Sequence, residues 1–200
     1  MKYFSQLKAA LFIAGLYPLL RLSWFTYSDQ LGANPIELIT RSLGTWTLVF
    51  LLITLTITPL RKLSGWAWLI KLRRMAGLFA FFYATLHFIT YIWLDQFFDL
   101  SSMYKDVLKR PFITIGFAAF VLLIPLALTS TNAMMKRMGG KNWQMLHRLV
   151  YAIALFGVLH YWWLVKKDLT QPIIYSALLA ILLGYRLWAW QIKKKIALTV

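Results

Sequence analysis

Asn142 to Val165 reads NWQMLHRLVYAIALFGVLHYWWLV. At about 1.5 Å per residue a helix of this length covers the roughly 30 Å of hydrocarbon in a bilayer. Lipid leaves backbone amides no partner outside their own segment, so an apolar run of this length is helical. The stretch carries His147 near one end and His160 near the other, and the third histidine of the chain, His87, stands inside a separate uncharged run, MAGLFAFFYATLHFITYIWL, from Met75 to Leu94. Ionisable side chains at membrane depth are costly and mark function by default.

Working outward from this stretch, uncharged or nearly uncharged runs recur along the chain. They predict helices over about 7–26, 42–60, 75–94, 111–130, 143–165 and 172–191. Pro18 and Pro125 predict kinks in the first and fourth. The first resembles the charged and apolar regions of a signal peptide, but SWFTYSDQ after it offers no small-residue cleavage site, so it is expected to be retained. Ser28 to Glu37, with Gly32 and Asn34-Pro35, reads as a loop. So do Arg61 to Arg74, the amphipathic Asp95 to Arg110, the Gly139-Gly140 turn and the KKDLTQP link. No internal repeat is visible, and the expectation is an all-α, polytopic six-transmembrane-helix bundle forming a single domain over 1–200.

Composition agrees. The chain has 200 residues, 60% hydrophobic and 14% charged, with no cysteine and a mean hydropathy of +0.65. This excludes disordered, collagenous and disulfide-framed classes, and the lack of thiols removes Fe–S clusters, thiolate-ligated haem, cysteine zinc sites and covalent haem attachment. The net charge of +16 is a matter of topology. With six spans the loops sort into two sides, 15 Lys and Arg on the side of the termini and 7 on the other, where all six acids also lie. Lys and Arg accumulate inside, so both termini are expected in the cytoplasm. Tryptophans cluster near predicted span ends, as an interfacial belt requires, and nothing resembles a nucleic-acid-reading element.

The histidines carry the chemistry. The third and fifth spans run the same way; His87 lies eight residues before Asp95 and His160 six before Lys166, so the two imidazoles are expected at one level in the outer half. Two imidazoles at one height on neighbouring helices would ligate a single haem b, with no open iron position, a site for electron transfer. The bland alternative is a polar hydrogen bond between helices. His147 is 13 residues before His160, about 20 Å away along a helix and turned by roughly 140°, so it either ligates a second haem or orients a flavin, quinone or propionate at the inner face. Met75 is the only nearby alternative ligand for such a haem, and packing is its ordinary role. Arg73, Arg74, Lys141 and Arg148 flank the inner ends of the same spans, where they could pair with propionates or a flavin phosphate. No phosphate loop or dinucleotide fingerprint occurs, so electrons are expected from another protein or membrane quinone. No acid is placed to build a serine-hydrolase triad.

The pieces ITPLR (57–61), LRRMAGL (72–78), ATLHFITY (84–91), RPFITIG (110–116), LALTSTNAM (126–134), WQMLHRLVY (143–151), HYWW (160–163) and QPIIY (171–175) together resemble the MsrQ (YedZ) family. These are haem-binding membrane subunits of bacterial methionine sulfoxide reductase systems, within the ferric-reductase-like transmembrane superfamily. The resemblance covers nearly the whole chain in order. It implies a bacterial inner-membrane protein with haem b and FMN, whose three histidines are His87, His147 and His160. It further implies delivery of electrons, from the quinone pool or a cytosolic flavin reductase, to a periplasmic MsrP-like catalytic subunit that repairs oxidised methionines. Larger superfamily members carry two histidines on each of two helices and hold two haems, whereas the third span here has one. They also append a flavin and nicotinamide domain. The chain is thus expected to be a relay subunit. The competing readings are a stand-alone ferric or quinone reductase and a non-redox, histidine-lined transporter.

Overall fold

The computed structural model describes residues 3–198. Among them there is no strand, and six helical stretches are long and apolar enough to cross a membrane. Helix α1 spans Phe4–Tyr27, α2 Pro35–Ser64 and α3 Arg73–Thr90. They are followed by α4 (Leu100–Lys109), α5 (Pro111–Leu128), α6 (Asn132–Met138), α7 (Gly140–His147), α8 (Leu149–Leu164) and α9 (Thr170–Leu198).

The bundle is built round α2. Half of its apolar window is buried inside the protein, against 11 to 28% in the other five spans, and it touches α1, α3, α8 and α9. Its most extensive partner is α3, where Ala76, Ala80 and Ala84 form a buried stripe. Lipid tails are as apolar as leucine, so membrane helices associate through close packing, and small residues permit it. Beside that stripe, the fully buried Tyr83 stacks on Phe50 of α2 and donates its hydroxyl hydrogen bond to the Gly15 carbonyl at 2.7 Å, fastening α1 to α3. A Cβ on Gly15 would stand 2.6 Å from the Phe79 ring, so α1 can seat here only because residue 15 has no side chain.

Several boundaries differ from the sequence expectation, each for a local reason. Asn34-Pro35, read above as an interruption, begins α2. The Asn34 side chain accepts from the Glu37 N–H at 3.3 Å, and proline suits the first helical position, where an N–H has no partner. The helix therefore runs 30 residues and carries Glu37 and Arg41, ion-paired at 2.7 Å. It ends where Gly65 adopts φ +73° and donates to the Arg61 carbonyl, a left-handed cap that glycine adopts without strain. Part of the supposed 61–74 loop is thus α2, and Ala67–Leu72 is a 3₁₀ helix leading into α3. In the 95–110 segment, read as a loop, Leu100–Lys109 is helical, capped by the Asp99 carboxylate on the N–H groups of Ser101 and Ser102. Phe97 and Phe98 make the reversal before it, with φ of 47° and 62°. The 131–141 turn contains α6 and the sharp Gly139, φ +76°. The 143–165 span is interrupted by one residue, Arg148, where i→i−3 bonds replace the α pattern. The last helix continues past 191 to Leu198.

Candidate functional site

His87 stands in the last turns of α3 and His160 near the end of α8. Their ring centroids are 6.1 Å apart with the planes at 77°. Each ring is held from behind by a different helix. His87 Nδ1 donates to the Thr40 carbonyl of α2 at 2.9 Å, and His160 Nδ1 donates to the Phe112 carbonyl of α5 at 2.7 Å. A carbonyl on Nδ1 fixes the tautomer that leaves the Nε2 lone pair for a metal, and neither Nε2 makes a hydrogen bond within the described residues.

The two seats are built alike. One turn after Thr40 stands Gly44, and one turn after Phe112 stands Gly116. A Cβ on Gly44 would lie 3.0 Å from His87 Cε1, and one on Gly116 would lie 2.7 Å from His160 Nδ1. A carbonyl in an α-helix points towards the residue four positions on, so glycine there opens the path by which an imidazole from the next helix reaches it. Thr40, Gly44, Phe112 and Gly116 were not singled out from the sequence as site residues. The only signal was a glycine in each of two apolar spans, which by itself says nothing of a histidine across the interface.

Both histidines line a cavity of ≈ 830 Å³ enclosed by α2, α3, α5 and α8, its mouth lined by Leu100, Met103, Tyr104 and Val107 of α4. The walls are mostly apolar, including Leu48, Phe88, Phe120 and Ile153, the lining a porphyrin requires. Two metal–imidazole bonds of about 2 Å, each ending on a nitrogen about 1 Å from its ring centroid, put the centroids of a bis-imidazole site about 6 Å apart. The spacing of His87 and His160 fits that dimension, and two imidazole nitrogens in an apolar cavity fit haem iron.

A family model described as "ferric reductase like transmembrane component" matches residues 43–158. The chain is 65% identical over 96% of its length, and 89% of the relative's, to a protein of Herminiimonas arsenicoxydans called protein-methionine-sulfoxide reductase heme-binding subunit MsrQ. Proteins of the same name from Azospira oryzae and Ralstonia nicotianae are 58% and 54% identical, over 91% and 94% of this chain and 78% and 87% of theirs. The chain belongs to the MsrQ family.

In this MsrQ-family chain the remaining candidates do not join the pair. His147 is absent from the cavity wall. Its Nδ1 donates to the Trp143 carbonyl one turn back at 3.0 Å, its Nε2 lies 3.5 Å from Ser130 Oγ, and its ring stacks on Trp143 with centroids 3.8 Å apart. Arg73 and Arg74 lie within electrostatic range of His147, and Arg74 donates to Asn132 Oδ1 at 2.8 Å. Arg148 is exposed at the step between α7 and α8. Met75 packs into the apolar clusters. These residues gather at the opposite end of the bundle from His87 and His160.

Arg186, one of the 15 Lys and Arg that the loop sorting puts on the side of the termini, is drawn into the bundle. It donates to the Leu55 carbonyl at 2.9 Å and the Tyr151 hydroxyl at 3.1 Å. The Leu55 carbonyl is short of its helical partner because residue 59 is proline and has no N–H. The guanidinium of α9 supplies the missing donor.

Proposed function

We propose that this chain is a membrane b-type cytochrome, the electron-transfer subunit of a methionine sulfoxide reductase system in the bacterial inner membrane. His87 and His160 are the residues that would hold its haem iron, through their Nε2 atoms. The observation that carries the proposal is the pair of back-anchored imidazoles, 6.1 Å apart across an apolar cavity. Haem bound here would supply one-electron transfer chemistry. The protein's part is to hold two neutral imidazoles by their Nδ1 hydrogens, keep water from the macrocycle and place it within one end of the bundle.

The loop charges support a cytoplasmic position for both termini, which sets the histidine end outside. There a periplasmic MsrP-like subunit would take electrons for repair of oxidised methionines. The donor is membrane quinone or a cytosolic flavin reductase. The cluster of Arg73, Arg74, His147 and Arg148 supports an FMN or donor contact at the inner end, where cations suit a phosphate. One haem is the expected content, because His147 stands outside the cavity wall and, with His87 and His160 facing each other, no second imidazole of the chain remains to pair with it.

The test is the absorption spectrum of the detergent-purified protein with and without dithionite. A Soret band with sharp reduced α and β bands is expected, and a colourless preparation ends the proposal. His87→Ala and His160→Ala are each expected to strip most haem, and His147→Ala to keep it in good part. Among the described residues no three His, Cys, Asp or Glu side chains converge, which weighs against a transporter that moves bare metal ions. A stand-alone reductase would reduce iron chelates with reduced quinone alone and ignore an MsrP-like partner.

A further inference from the structure

The cavity wall contains two cations, Arg41 and Arg110. They come from different elements, and each adjoins a histidine seat in the chain: Arg41 follows Thr40, which anchors His87, and Arg110 precedes Phe112, which anchors His160, by two residues. Each is held only by an acid one turn back, Glu37 at 2.7 Å and Asp106 at 3.3 Å, and both arginine side chains are more than half exposed. Glu37 is itself 44% exposed, and a pair as open as Arg41–Glu37 contributes about 0–1 kcal/mol; Asp106 is only 13% exposed, but it also accepts from Gln96 Nε2 at 3.1 Å and so keeps a partner when Arg110 turns away. A porphyrin held between the two imidazoles would carry two carboxylates on short arms outside its ring, and these would have to leave the apolar interior at a place where cations receive them.

We infer that Arg41 and Arg110 form the carboxylate-binding rim of the cavity, one for each propionate of a haem clamped by His87 and His160. This rests on the haem reading above, and it moves the propionates away from Arg73, Arg74 and Arg148, which were candidates from sequence. Guanidinium suits the task because it presents a planar fork to a carboxylate. Arg41 and Arg110 would thereby fix the rotation of a bound macrocycle about the line between the two imidazoles.

The experiment uses the full-length protein made under haem limitation and placed in nanodiscs, titrated with protohaem and separately with protohaem dimethyl ester. For each protein the ratio of the two affinities is read, which cancels partitioning of the free porphyrins into lipid and any general loss of folding. Arg41→Gln and Arg110→Gln are each expected to shift that ratio towards the ester by about tenfold, as loss of one charge-assisted hydrogen bond implies, and the double variant to shift it further. Arg73→Gln/Arg74→Gln is expected to leave the ratio as in the parent. A constant ratio through Arg41→Gln, Arg110→Gln and the double variant overturns the rim while leaving the histidine clamp intact. A shift confined to Arg73→Gln/Arg74→Gln overturns it in favour of the opposite end. If the parent binds neither porphyrin, the clamp itself is lost.

Discussion

At the scale of single residues, the consequence of the two seats is that Gly44 and Gly116 matter through what they lack. Alanine in a helix interior is favoured over glycine by about 1 kcal/mol, so Gly116→Ala alone should not weaken α5. It would, however, set a methyl carbon 2.7 Å from an imidazole that the Phe112 carbonyl holds in place. Overpacking of this kind costs about 1–3 kcal/mol. The expected outcome for Gly116→Ala is a haem affinity lower by roughly tenfold or more, with the haem-free protein losing no more than the one hydrogen bond that the His160 ring gives up to avoid the methyl, about 1 kcal/mol. Gly44→Ala, at 3.0 Å from His87, should show a smaller loss. Gly184→Ala, with open space around it, should show none, and equal haem retention in all three would remove the seating role. The ring planes make a second prediction. Imidazoles held at 77° should give a strongly anisotropic low-spin ferric EPR signal, whereas the rhombic signal of parallel planes would mean that a ring has turned away from its carbonyl.

Arg186 belongs to the scale of elements, because it joins α9 to α2 and α8 through a carbonyl that Pro59 leaves unpaired. Arg186→Leu would bury the Leu55 carbonyl without a donor, at a cost of about 1–3 kcal/mol. Pro59→Ala restores an N–H four residues on and makes the arginine partly redundant. The prediction is therefore a coupled pair: Arg186→Leu destabilises the bundle to denaturing detergent, and less so when Pro59→Ala is present. Additive effects in the double variant would show that the two residues do not share the carbonyl. The same scale explains why helix edges differ from the sequence expectation. Asn34-Pro35 resembles a break when only turn formers are counted, yet an amide cap followed by proline is also how a helix starts, and in α2 it does start there. The 95–110 segment has the alternation of an amphipathic helix, and the Asp99 cap and the neighbouring cavity mouth let it fold as one.

For the whole molecule, an even number of spans would put the two termini on one side, and the proposal that this side is the cytoplasm rests on the charge asymmetry of the loops. A periplasm-dependent phosphatase reporter inserted near Ser101 should be active and one fused at either terminus inactive. The reverse pattern would set the histidine pair at the cytoplasmic face and disconnect it from a periplasmic acceptor.

Uncharged runs of about twenty residues, three histidines and the sorting of lysine and arginine were sufficient, from sequence alone, to define a six-span helical chain and to put His87 and His160 at one level. The reason is that a bilayer imposes length and polarity on each segment separately, and a straight helix converts residue number into depth. Which helix stands behind each imidazole was beyond that logic. The pairing of His87 with α2 and of His160 with α5, the glycines that admit the rings, the capture of Arg186 by a carbonyl next to a proline, and the placing of Arg41 and Arg110 at the cavity wall all depend on rotation about the helix axis and on neighbour choice. Those are set by packing between elements distant in sequence, and only the tertiary structure decides them.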